Sequence, residues 1–448
     1  MKLSHLRIWS RVLLLAAPVV LTQVAVERWQ SDRGLHVSSA AYAQDDEKKP
    51  DTRETRRTPA LRAKVYEKLA EAQAAAEAKD LTTAAKILDE MLAQERESKA
   101  LNSYEKANVY NLYAFIHYSR EDYAKALEAY RNVVAQPDIP IAMETNTRFT
   151  IAQLYFVQEQ WQQGINALLE WFEMTDTPNA NAYVLLAQGY YQLKDYNKAL
   201  SNVEKAIDMT VEKGNIPKEQ WYNLARFLYF EKNDVNKTVD TLEKLLTYYP
   251  KKQYWVQLSH MYGEQGKDWQ QAAAMETAYV QDMLTKDQEQ VTMAYLYLNA
   301  EVPYKAAKVM QTGLDGEVIE GKSKNWEIAG NSWRQAQEMN KAVPAMERAA
   351  AKSDRGELYA RLGNIYLDSY EFEKAITALN KGLNRGGVKR PDTAQLVLGM
   401  AYFNTKQYDK ARDAFKKAAE DDRSTEYAEQ WITYMNSEIA RQEALAEG

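Results

Sequence analysis

The sequence predicts an all-α protein, a solenoid of about ten helical hairpins closed by a C-terminal capping helix. Three observations predict it: small residues recur in pairs twelve positions apart, the pairs recur at a near-constant period, and the composition suits helices. Of 448 residues 46% are hydrophobic, with only 17 Gly, 11 Pro and no Cys. That length exceeds the roughly 100–200 residues of one compact domain, so the chain needs several domains or an array. Without Cys there are no disulfides, thiolate metal sites or cysteine nucleophile. A formal net charge of −6 argues against a binder of nucleic-acid backbones, which needs a basic face.

Residues 1–43 read as a secretory signal. Lys2, Arg7 and Arg11 make a basic start, Val12 to Val26 is an uncharged stretch, and Ala41-Tyr42-Ala43 is a small-residue cleavage site. As helix that stretch rises about 22 Å, short of the roughly 30 Å hydrocarbon core. The run from Glu27 to Ala43 is long for a cleavage region, so an uncleaved N-terminal anchor stays open as an alternative. Removing this segment, of net charge +3, takes the chain from −6 to −9. The expected location is the periplasm. Residues 44–60, dense in charge and holding Pro50 and Pro59, should form a mobile leader.

Residues 61–423 should be the array. Asp122-Tyr123-Ala124-Lys125-Ala126 returns as Asp195-Tyr196-Asn197-Lys198-Ala199, as Phe372-Glu373-Lys374-Ala375 and as Tyr408-Asp409-Lys410-Ala411. Twelve residues before each alanine stands another small residue, giving the pairs Ala114/Ala126, Ala187/Ala199, Gly363/Ala375 and Gly399/Ala411. The same frame fits Ala72/Ala84, Ala152/Gly164, Ala294/Ala306 and Gly330/Ala342, and with one inserted residue Ala225/Thr238 and Ser259/Ala272. Two antiparallel helices approach closely only where neither presents bulk, so each offers Ala or Gly at the crossing. Aromatics three residues after the first small position, such as Tyr190, Tyr366 and Tyr402, fill the wider gaps. Residues 424–448 should cap the stack, whose last hairpin would otherwise expose its core face.

Trp326, Ala329-Gly330, Trp333, Ala342, Met346 and Ala349 resemble the tetratricopeptide repeat, as do Leu398-Gly399, Tyr402, Ala411, Phe415 and Ala418. Pro250 stands at that family's terminal proline; most other units lack it. A narrower resemblance runs from Tyr295 to Ala307, with Lys324-Asn325-Trp326 and Gly386 to Pro391. It is similar to the secreted tetratricopeptide proteins that accompany TonB–ExbB–ExbD energy transducers of Gram-negative bacteria. That resemblance implies protein partners among periplasmic TonB or ExbD domains.

Gly316 to Ser323 spells the Gly-x4-Gly-Lys-Ser phosphate loop. A phosphate loop needs a strand before it, whereas Tyr304 to Leu314 reads as a second helix of a repeat, and Glu317 and Glu320 would repel an anion. The expectation is a loop between hairpins, with no nucleotide and no cofactor. His117 occupies a repeat aromatic position, and His260 has no second His or Cys near it in sequence, so no metal site is expected. No Ser/His/Asp set stands out, and catalytic residues are none.

In an array of this type the first helices line the inner face. Residues three before, one after and four after the first small position should look inward, giving Phe115, Tyr118, Phe149, Phe156, Tyr191, Tyr222, Arg226 and Tyr295 as candidate partner-binding residues. Tyr and Phe supply stiff contact area, suited to an extended or helical segment. The Lys and Asn that clamp an acidic chain terminus in the chaperone mode of the family are missing from most of these positions. The expected function is a non-enzymatic periplasmic interaction scaffold serving a TonB-dependent transport system. The alternative is an adaptor in outer-membrane or cell-wall assembly.

Overall fold

The computed structural model describes residues 56, 58–93 and 100–447. The expected signal segment and most of the leader lie outside the described residues. Among the described residues there are 21 helices and no strand. Contacts divide the chain into two compact units, with the division between Leu228 and Tyr229.

The first unit holds α1 (Ala63–Glu77), α2 (Leu81–Leu92), α3 (Ser103–Ser119), α4 (Tyr123–Val134), α5 (Ile141–Val157), α6 (Trp161–Met174), α7 (Ala180–Gln192) and α8 (Tyr196–Glu212). The division falls inside α9 (Glu219–Glu231). The second unit continues with α10 (Val235–Tyr248), α11 (Lys252–Glu264), α12 (Asp268–Val280), α13 (Asp287–Asn299), α14 (Pro303–Asp315) and α15 (Ser323–Gln335). It ends with α16 (Met339–Ala351), α17 (Glu357–Asp368), α18 (Phe372–Arg385), α19 (Pro391–Asn404), α20 (Tyr408–Ala418) and α21 (Asp422–Glu447). Within each unit a first helix packs on the second helix that follows, and that one on the next first helix. This nearest-neighbour order is that of a solenoid. α21 packs on α20 and α19 through Ala428 and Met435, both fully buried, and so covers the last hairpin.

Every small position of the repeat frame is buried, including Ala114, Ala126, Ala187, Ala199, Ala342, Ala375 and Ala411 at 0% exposure. The glycines show what each first helix meets. A Cβ on Gly330, Gly363 or Gly399 would lie 2.6, 2.4 or 2.4 Å from Met346, Leu379 or Phe415. Each of those side chains stands four residues after the second small position, so one helix's gap receives the other helix's bulk.

The Asp-Tyr-x-Lys-Ala string has a physical reading at each position. Asp122, Asp195 and Asp234 accept from the backbone N–H three residues on and cap their second helices. The residue before each cap is left-handed, at φ 59° for Glu121 and 61° for Lys194. There the N–H groups of Lys194 and Asp195 reach back to Tyr191 and Tyr190, closing the first helix in a Schellman turn. The aromatic after the cap packs on the ring five residues earlier, as in Tyr118–Tyr123, Phe156–Trp161, Tyr191–Tyr196 and Phe403–Tyr408. The Lys lies over the aromatic three residues after the first small position. Lys198 covers Tyr190, Lys305 Tyr297, Lys341 Trp333, Lys374 Tyr366 and Lys410 Tyr402, at 4.5–5.6 Å.

The polar tip of that same aromatic reaches the preceding hairpin. Tyr262 bonds Glu243 at 2.8 Å, Trp333 Nε1 donates to Gln311 at 3.4 Å, and Asn380 donates to Tyr402 at 3.0 Å. Tyr297–Glu276, Tyr366–Glu347 and, in the first unit, Arg131–Tyr155 repeat the arrangement. Each carboxylate holds its phenol proton on; the Tyr262 pKa is pushed up to about 12 by burial and by Glu243. One ring thus joins its own hairpin through a cation and its neighbour through a hydrogen bond.

Arg56 donates to Glu144 at 3.0 Å and Arg62 grips Glu105, so these two arginines are tied to α5 and α3.

Candidate functional site

The inward-facing rows of the first helices divide by burial. Three residues before the small position, Val184, Tyr222 and Val291 are interior, and Phe149 is half-buried against Trp171 at 4.7 Å between ring centres. Val184, Tyr222 and Val291 thus meet the neighbouring helix rather than solvent, whereas Asn111 and Glu327 of the same row are half-buried. Tyr222, expected in the groove, is 2% exposed and belongs to the core. Phe156 corrects the expectation further. A Cβ on Gly164 or Gly189 would come within 2.9 and 2.6 Å of its ring, so the two glycines open a slot that Phe156 fills. A ring that replaces two missing side chains has little surface left for a partner.

The row one residue after the small position is the open one. In the first unit Phe115, Gln153, Gln188 and Arg226 are half-buried; in the second, Tyr295 is 42% exposed, Asn331 is half-buried and Asn364 exposed. Tyr118 and Tyr191, four after, are half-buried and engaged with Tyr123 and Tyr196. The expected set therefore resolves into Phe115, Arg226 and Tyr295 on the open row, Tyr118 and Tyr191 beside it, and Phe149, Phe156 and Tyr222 turned inward. Asn364 lies outside the expected set, although the Gly363/Ala375 pair puts it on the same row, one residue after the first small position.

A small recess opens beside Asn364, between α17 and α19, with Arg361 and Arg390 on its walls. Both guanidiniums are engaged: Arg361 with Glu327 at 2.6 Å and Glu357 at 3.2 Å, Arg390 with the buried Asp392 at 2.5 Å. Arg390 and then Ser424 hydrogen-bond the Asp392 carboxylate and hold its pKa far below the usual carboxylate range. Glu105 is its counterpart in the first unit. Burial opposes its charge, but Arg62 and the Asn102 N–H outweigh that and lower its pKa. These buried carboxylates are fully partnered, which fits structural roles better than proton transfer.

Residues 316–322 form the loop between α14 and α15, Ser323 begins α15, and no strand precedes the loop among the described residues. Within it Ile319 donates to Gly313 O at 2.8 Å, Glu320 to Asp287 at 3.1 Å and Lys322 to Glu320 O at 2.7 Å. Lys322 pairs with Glu320, and Ile319 is buried. His117 stacks on Tyr113 with centroids 6.2 Å apart, and burial lowers its pKa; His260 is exposed. Among the described residues no group of three or more His, Asp or Glu gathers as a metal site, and no helix is long and apolar enough to cross a membrane.

Comparison with known proteins adds to this geometry. Tetratricopeptide-repeat family models match residues 180–210, 221–252 and 360–426. No curated protein matches the sequence. Among solved structures the chain is similar to MamA, at 20% identity over 38% of this chain and 97% of that one, with TM-score 0.33. It is similar to the TPR2AB domain of yeast Sti1, solved as a pHSP90 complex, at 15% identity, 60% and 98% coverage, and TM-score 0.32. A tetratricopeptide repeat protein from Parabacteroides merdae is similar at 14% identity, 66% and 99% coverage, and TM-score 0.32. The chain carries tetratricopeptide repeats, the architecture of protein-interaction scaffolds, and its described residues form the all-helical solenoid that such repeats build.

Proposed function

We propose that the protein is a non-enzymatic periplasmic scaffold serving a TonB-dependent transport system, with the open row of its first helices holding a segment of a periplasmic TonB or ExbD domain. The observation that carries the scaffold reading is that row. Gln153 and Gln188 in one unit, and Asn331 and Asn364 in the other, offer both a donor and an acceptor, while neighbouring positions are core. Tyr295 supports the narrower reading, because the run it opens carries the resemblance to TonB-associated proteins and its ring is exposed. The leader pattern of residues 1–43 supports the periplasm.

The test is a crosslinking pull-down of the full chain from cells grown without iron. Enrichment of a TonB or ExbD periplasmic domain, lost in a Tyr295→Ala variant, is the expected result. Recovery of outer-membrane or cell-wall assembly proteins in their place would transfer the scaffold to that machinery.

A further inference from the structure

α16 carries Pro344 in its interior. Proline has no N–H, so the carbonyl of Asn340, four residues earlier, lacks its helical donor. Asn340 and Pro344 both line an open cleft of about 220 Å³. Its other walls include Trp326 and Trp333 of α15, buried to 6% and 4% exposure. Lys341 Nζ stands 4.5 Å from the Trp333 ring centre and Arg348 Cζ 4.5 Å from that of Trp326. Two cations thus mark the two ends of the cleft. Seven helical residues separate them by about 10 Å along the axis.

We propose that this cleft, on the second-helix side and distinct from the open row, binds an acidic polyproline-II segment of a protein partner, with two carboxylates three residues apart. In that conformation residues i and i+3 point the same way and lie about 9.3 Å apart, which matches the two cations. A flat β-strand would turn i and i+3 to opposite faces. The backbone of such a segment keeps its N–H groups unpaired, and one of them meets the vacant acceptor of Asn340. The exposed ring of Pro344 and the methylene stems of Lys341 and Arg348, which cover the two buried indoles, receive the segment's apolar surface. Lys341 currently pairs with Glu338 at 3.1 Å and Arg348 with Asp315 at 3.7 Å. Both are surface pairs of the weak kind that a better-placed carboxylate can exchange.

The test is fluorescence anisotropy of the full chain with a fluorescein-labelled Ser-Glu-Pro-Ala-Glu-Ser peptide. Saturable binding is expected, weakened about tenfold or more when both glutamates are glutamine or when they are placed side by side. The Lys341→Gln/Arg348→Gln double variant should lose binding to the same degree. Pro344→Ala, which returns the N–H to Asn340, should weaken binding while melting at or above the wild-type temperature. No binding at about 1 mM peptide, or equal binding of the spaced and adjacent glutamate peptides, would overturn the proposal. Should the double variant melt early, the peptide series on the wild-type chain decides alone.

Discussion

Tyr370 holds φ 60° in the turn between α17 and α18, with its side chain 82% exposed. A bulky residue gains nothing from the left-handed region, which favours Asn and Gly. Tyr370→Asn is therefore expected to raise stability by up to about 1 kcal/mol, read as a higher denaturant midpoint; a lower midpoint would show that the Tyr370–Phe372 ring contact matters more. Gly363 is the opposite case. Its missing Cβ leaves room for Leu379, so Gly363→Ala should cost about 1–3 kcal/mol, and an unchanged melting temperature would place the frame wrongly. His117 supplies a pH dependence. Because burial lowers its folded pKa below the ordinary value of about 6.5, the unfolded chain takes up the proton first. Stability from this group is complete above that ordinary value and is lost as pH falls from there toward the folded pKa. The loss of melting temperature between about pH 7.5 and 5.5 should be smaller in His117→Phe than in wild type. At this scale the small residues were legible, because period alone exposes them. The burial of Phe156 was not, since it depends on Gly164 and Gly189 from two other helices.

At the scale of the helix, the recurring device is the aromatic that joins its own hairpin by a cation and its neighbour by a hydrogen bond. Tyr366 takes Lys374 on its face and Glu347 at its hydroxyl. Tyr366→Phe keeps the ring and removes the bond, at an expected cost of about 0.5–1.5 kcal/mol. A double-mutant cycle with Glu347→Gln should show coupling between α16 and α17; independent effects would mean the bond contributes nothing to the interface. The position of Tyr366 was readable as a gap-filler. Its second role was hidden, because Glu347 belongs to the previous unit and nothing in one repeat read alone pairs the two. The hairpin starting at α7 shows the rule by exception. Tyr190 has its lysine, Lys198, but the matching position of the preceding hairpin is Leu169, which has no polar group to offer. The phosphate-loop lookalike was also decidable from the sequence, because the helical period of residues 304–314 left no strand to precede it.

For the molecule as a whole, the repeat frame sets which surface can take a partner. Each first helix buries its small position and leaves the residue after it half-buried or exposed, and that row is mostly polar or aromatic. The fold was legible because ten copies of one pattern reinforce each other, whereas a binding face is written in the positions that the packing leaves unconstrained. The most direct test of the interaction-scaffold account is photocrosslinking in living cells, with a photoreactive phenylalanine analogue at Tyr295, Asn331 or Asn364 and, as control, at the exposed turn residue Tyr370. The account predicts discrete protein adducts from the three row positions and none from Tyr370. Equal adduct yields at Tyr370, or none at the row, would contradict it.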